Sequence, residues 1–304
     1  MSGSSSLKSS SSLRGWWPLI TVPVAATLLL LGLFQIRDLF PAWLWAWGLV
    51  FAFFGAMKWL TWRRTPAPGA SLRLQLGYLL AWPGLDAPTF LTSTAARREP
   101  VDSRVGVVAI GKLLLGAALF WGVARIVPDA WPLIRGRVGI AGLAIGVLGG
   151  AFQFLSWLWR AGGIDARPIM NRPLRSTNLA DFWGRRWNLA FHDFAARFIY
   201  RPLAARYGAT PALGGVFLFS GLLHDAVLSL SAGAGYGRPM LYFLIQLIGL
   251  VVERGRLVAP LKSQHPLVGR IFAVLVIVGP FGLLFHRPFI ERVWLPFMSV
   301  TGAL

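Results

Sequence analysis

Residues 211–230 read PALGGVFLFSGLLHDAVLSL. A helix of that length is about 30 Å long, the thickness of a bilayer's hydrocarbon core. A water-soluble surface helix keeps a polar face. This one is apolar over most of its length, so it reads as a membrane span. It nevertheless carries His224 and Asp225 well inside the apolar run. Ionisable groups at such depth are costly and mark functional sites by default. The competing reading is a histidine satisfied by a neighbouring helix. Ser220 and Gly221 lie at i−4 and i−3, so the face beside His224 is small and partly polar. Asp225 projects about 100° away from His224, because adjacent helical residues do not face each other. It is not placed to orient the imidazole.

Similar apolar runs lie at 16–35, 41–60, 105–127, 138–159, 239–253 and 270–286, with a last stretch at 289–300. The expected fold is all-α, a polytopic transmembrane protein with about eight spans. A shorter run, LRLQLGYLLAW, lies between Ser71 and Pro83. It is too short to cross and reads as a re-entrant or interfacial helix. Residues 1–15 are Ser-rich and read as disordered, and 16–304 as a single integral-membrane domain. The apolar segment that opens at Trp16 has the basic flank and small residues, Ala25-Ala26, of a cleaved signal peptide, but its apolar run continues past those alanines, which favours a span.

Composition agrees. Of 304 residues, 56% are hydrophobic and 13% charged, against about 25% charged in soluble domains. The formal net charge is +19. A basic chain can bind nucleic acid, but one with bilayer-length apolar runs places its charge in cytoplasmic loops. Three basic stretches, 58–73, 160–206 and 253–270, fall on one side if the Ser71–Pro83 run does not cross. Arg135 and Arg137, in the loop expected at 128–137, are a mild exception. With no cysteine, thiolate catalysis, disulfides and Cys-based metal sites are excluded. There is no metal-ligand motif and no serine nucleophile elbow.

The segment between the spans at 138–159 and 211–230 is too long for a structureless loop. Thr177 or Asn178 can cap a helix that starts near Leu179 and ends near Tyr200, before Pro202. On a helical wheel Trp183, Trp187, Ala190, Phe191, Phe194 and Phe198 share one face. Asp181, Arg185, Asn188 and His192 share the opposite one. Such a long amphipathic helix can lie in the interface, or its polar stripe can line a substrate cavity. Periodicity leaves both open.

Two quoted motifs carry a resemblance. RPIMNRPLRSTNLADFWGRRWN (167–188), followed by FSGLLHD (219–225), resembles the wax-synthase-type branch of the membrane-bound O-acyltransferase superfamily. In that superfamily an aromatic-rich motif ending in Trp-Asn precedes a helix bearing the active-site histidine. The matching residues are Phe182, Trp183, Trp187, Asn188 and His224, within 168–230, and LLAWPGLDAP (79–88) is a weaker match. The resemblance implies transfer of an acyl group from acyl-CoA, a substrate rather than a cofactor, to a lipid hydroxyl acceptor without a covalent intermediate. His224 would be the general base, and Asn188 would polarise the thioester carbonyl. Trp183, Trp187, His192 and Ser220 would line the substrate site. Arg172, Arg175, Arg185 and Arg186 would meet the CoA phosphates, or else only set topology and touch anionic lipids. No cofactor, metal or nucleic-acid partner is implied. The expected seat is a bacterial inner membrane. A proton-coupled transporter using His224 and Asp225 is the alternative, and the lack of internal repeats speaks against it.

Overall fold

The computed structural model describes residues 39–93, 101–255 and 265–304. The Ser-rich segment 1–15 and the span expected at 16–35 lie outside them. Among the described residues the fold is all-helical. Helix α1 (Ala42–Arg63) leads to two short helices, α2 (Leu72–Ala81) and α3 (Ala87–Leu91). Helices α4 (Ser103–Ile126) and α5 (Pro132–Ala161) follow. Next come α6 (Leu179–Asp181), which opens into a π turn at Phe182–Arg186, and α7 (Leu189–Ala195). A second π turn, Ala196–Tyr200, continues α7 into α8 (Arg201–Tyr207). The chain then forms α9 (Ala209–Leu230), α10 (Arg238–Arg254) and α11 (Leu267–Leu284). It ends in α12 (Arg287–Phe289), a π turn at Ile290–Trp294 and α13 (Leu295–Val300).

Five of these, α1, α4, α5, α9 and α11, are long and apolar enough to cross a membrane. They match the runs expected at 41–60, 105–127, 138–159, 211–230 and 270–286. The run at 239–253 is the 17-residue α10, which carries Arg238, Glu253 and Arg254 at its ends. The stretch 289–300 differs from expectation. It lies in one continuous helical run, α12, the π turn and α13 together, which is too short to cross a bilayer, and Ile290, Val293 and Met298 are buried in the main core. Helix α5 begins earlier than expected, because Pro132 stands in its first turn, where a missing N–H costs nothing. Arg135 therefore lies in a helix and pairs with Asp129.

Helices α4 and α5 pack backbone to backbone. A Cβ on Gly116 would lie 2.4 Å from Gly146 Cα, so only glycine allows this approach. Two cores result. One gathers Phe217, Tyr242, Phe243, Trp294 and Met298 from the spans and the C-terminal segment. The other joins Tyr78, Trp82 and Phe90 of the α2–α3 unit to Ile169 and to Ala190 and Phe194 of α7.

The short run after Ser71 forms a short helix, as expected. Ser71 caps it by accepting the Leu74 N–H at 3.3 Å. Trp82 ends it in extended backbone, which Pro83 enforces on the residue before it. Lys58 of α1 is buried and donates to the carbonyls of Trp82, at 2.7 Å, and Gly84, while its Nζ sits 3.4 Å from the centroid of the Tyr78 ring.

Candidate active site

The polar groups of the site are set by a break in the chain at Trp187–Asn188. The single amphipathic helix expected over 179–200 does not form. Trp187 is extended, and Asn188 is left-handed at φ 42°. Asparagine tolerates that region better than most residues, and helical periodicity does not reveal it. The break is held from outside: Leu189 N–H donates to Ile169 O at 2.8 Å, and Asn171 N–H to Arg186 O at 2.9 Å. The two ends of the RPIMN…RRWN motif are thus neighbours. Nor does the helix stop before Pro202. The π turn at Ala196–Tyr200 precedes it and continues into α8.

The break dissolves the expected stripe and ridge. Asn178 caps α6, accepting the Asp181 N–H at 2.8 Å. Asp181 accepts from Thr177 N–H at 3.0 Å and pairs with Arg186 at 2.6 Å. Burial pushes its carboxyl up, but the Thr177 and Arg186 hydrogen bonds outweigh that and hold it below the usual range. Arg186 is therefore engaged, whereas Arg172, Arg175 and Arg185 are exposed. His192 is half-buried, and among the described residues its ring has one polar partner, its neighbour Asp193, at 3.1 Å. On the aromatic side, Trp187 stacks on Phe182 with centroids 5.3 Å apart, while Phe191 and Phe194 pack on Phe219 of α9.

Trp183 and His224 share a neighbour, Phe243. The Trp183 ring meets Phe217 of α9 edge-on at 5.7 Å and Phe243 of α10 at 6.1 Å. Its Nε1 donates to Gln246 Oε1 at 3.3 Å. His224 rests on the same Phe243 ring, with centroids 4.6 Å apart. His224 Nδ1 lies 2.7 Å from the Ser220 carbonyl. A carbonyl only accepts, so Nδ1 carries the proton and Nε2 keeps its lone pair. No described residue hydrogen-bonds that Nε2. The Ser220 contribution is thus its carbonyl.

Asn188 serves first as a cap, its Oδ1 accepting the Phe191 N–H at 3.2 Å. With the oxygen so engaged, the amide Nδ2 is a donor that no described residue accepts from. The side chains of Asn188 and His224 are not bonded to each other.

Three residues were not singled out by sequence. Glu253 is buried and accepts the Leu179 N–H at 2.6 Å, anchoring α10 to the start of α6. Gln246 bridges Trp183 to the Val276 carbonyl, at 2.7 Å from the latter. His286 is fully buried. The usable signal was a lone acid in a basic stretch for Glu253 and a polar residue on an apolar helix for Gln246.

Comparison with known proteins covers this region. Residues 166–245 match the membrane bound O-acyl transferase family. The matched segment includes the RPIMN…RRWN motif, α9 with His224, and α10 through Phe243. Over 71 residues, 21% of the chain, it is 34% identical to "Acyl-CoA--sterol O-acyltransferase 1" of Arabidopsis thaliana, covering 21% of that protein. It is 37% identical over 71 residues to "Long-chain-alcohol O-fatty-acyltransferase" of Simmondsia chinensis, 21% of this chain and 20% of the relative. A longer alignment, 143 residues at 30% identity, covers 43% of the chain and 41% of "Probable long-chain-alcohol O-fatty-acyltransferase 8" of Arabidopsis thaliana. The alignment to the first two therefore spans about a fifth of their length.

Proposed function

We propose that the chain transfers a long-chain fatty acyl group from acyl-CoA to the hydroxyl of a lipid acceptor, in a membrane whose cytoplasmic side faces the basic stretches. The observation that carries this reading is the unpartnered Nε2 lone pair of His224, whose ring rests on Phe243, which Trp183 also contacts. The step balances as follows. Nε2 takes the hydroxyl proton while the acceptor oxygen bonds to the thioester carbonyl carbon. The carbonyl electrons move onto oxygen, where the free Nδ2 of Asn188 would donate. They return as the C–S bond breaks, and the CoA thiolate leaves with the proton from the imidazolium. Ester and free thiol result, with no covalent enzyme intermediate. Arg172, Arg175 and Arg185, exposed on one connecting segment, would meet the CoA phosphates. The apolar wall of Trp183, Phe217 and Phe243 suits an acyl chain. Two of the relatives above carry long-chain-alcohol acyl transfer in their names, so a fatty alcohol is the proposed acceptor.

The purified protein, given a long-chain acyl-CoA and a fatty alcohol, should form ester detectable by mass spectrometry. His224→Ala should lower turnover by at least about 100-fold, the usual contribution of a general base, at unchanged yield of folded protein. Equal turnover in that variant would overturn the assignment.

A proton-coupled transporter is the second reading. Asp225 favours it, because its Oδ1 is buried with no hydrogen-bond partner. That reading expects proton flux into liposomes without acyl donor, lost in Asp225→Asn.

A further inference from the structure

The turn 231–237 joins the helix that carries His224 to the helix that carries Phe243, the ring His224 rests on. Those helices approach closely one turn below the histidine. A Cβ on Gly221 would lie 2.7 Å from Met240 Sδ and 3.1 Å from Met240 Cα. Between His224 and the turn the helix opens into a π turn at Ala226–Leu230, a form frequent at functional sites. The placement of the base against its aromatic floor therefore depends on how this turn is held.

It is held by a latch whose centre, Ser229 and His286, is buried. Asp225 Oδ2 accepts the Gly237 N–H at 2.8 Å. Ser229, fully buried, has its Oγ 3.2 Å from the Gly235 carbonyl and 3.2 Å from His286 Nε2. His286 Nδ1 accepts the Phe289 N–H at 3.2 Å and so caps α12. One tautomer satisfies all of these: Nδ1 bare, Nε2–H donating to Ser229, and the Ser229 hydroxyl donating to Gly235. The Gly235 backbone lies flat against the imidazole, for a Cβ there would be 2.5 Å from His286 Cε1. From the same C-terminal segment, Arg292 donates to the Ala232 carbonyl at 3.1 Å. Arg238 and Asp225 are the charged groups that face His286.

We infer that His286, acting through Ser229, is a positioning residue for acyl transfer: it fixes the turn that sets His224 against Phe243. This rests on the acyltransferase reading. The C-terminal segment 286–294, outside the matched family segment 166–245, thereby becomes part of the working site.

The test uses the full chain in detergent, with long-chain acyl-CoA and fatty alcohol. His286→Asn keeps a good helix cap but is too short to reach Ser229. Ser229→Ala removes the same link from the other side. Each should lower kcat about tenfold, with KM for the acyl donor within about twofold. The double variant should fall no further than the worse single one, since both break one link. The acid limb of the kcat–pH profile, which reports the base in the substrate complex, should move in both. Should His286→Asn not yield folded protein, Ser229→Ala carries the test alone. A parent chain that makes ester, with variants that keep its kcat within twofold or keep its acid limb, overturns the inference alone. A parent chain that makes no ester overturns the acyl-transfer reading and the inference with it.

Discussion

Asn188 has two separable duties, and substitution can divide them. Its Oδ1 caps α7, while its Nδ2 is a free donor. Asn188→Asp keeps an acceptor for the Phe191 N–H and removes the donor. The expected result is a normally folded protein whose kcat is lower by about 10²-fold, the scale of a lost oxyanion donor. A melting curve and a turnover assay on one preparation check both halves. Asp181 gives a pH test. Its folded carboxyl titrates below the usual range, so it stabilises the fold above the unfolded value near 4 and loses that contribution as pH falls through the folded value. The stability gap between the parent and Asp181→Asn should therefore close below about pH 4, read as thermal midpoints across an acid series.

At the scale of elements, the spans could be read because burial in lipid imposes a long apolar run, a local property. The cap at Asn178 was equally local. The break at Trp187–Asn188 was not. The apolar wheel continues through it without interruption, and what enforces it is a pair of backbone hydrogen bonds to residues 169 and 171, distant in sequence. The same limit hid the link from Trp183 through Phe243 to His224, which needs three helices in place. His224 itself was legible, as an ionisable group in an apolar run. The contact of α4 with α5 can be tested directly. Gly116→Ala would drive a methyl into the Gly146 backbone, whereas a Cβ on Gly122 meets nothing within 4 Å. Gly116→Ala should destabilise by roughly 1–3 kcal/mol, the range for overpacking, and Gly122→Ala should be neutral. Denaturant unfolding in detergent measures both.

Arg172, Arg175 and Arg185 stay exposed on the segment that leads to α9 and α10, while Arg186 is already paired. If the three meet CoA phosphates, replacing them together by alanine should raise KM for acyl-CoA about tenfold and leave kcat within twofold. Raising salt on the parent should move KM the same way, because exposed charges are screened over about 10 Å at 0.1 M. If they only set topology, neither KM will change.

Lys58 has a consequence for biosynthesis. Helix α1 is the least apolar of the five spanning helices, and it carries a lysine whose acceptors are the carbonyls of Trp82 and Gly84. Those carbonyls are made some two dozen residues after the lysine leaves the ribosome. A lysine at the centre of an inserting helix costs about 2.5–3.5 kcal/mol, and less toward an end. Helix α1 must therefore wait at the translocon, or enter with its lysine still reaching for water, until the α2–α3 unit arrives to receive it. The order of membrane integration is written into that one side chain.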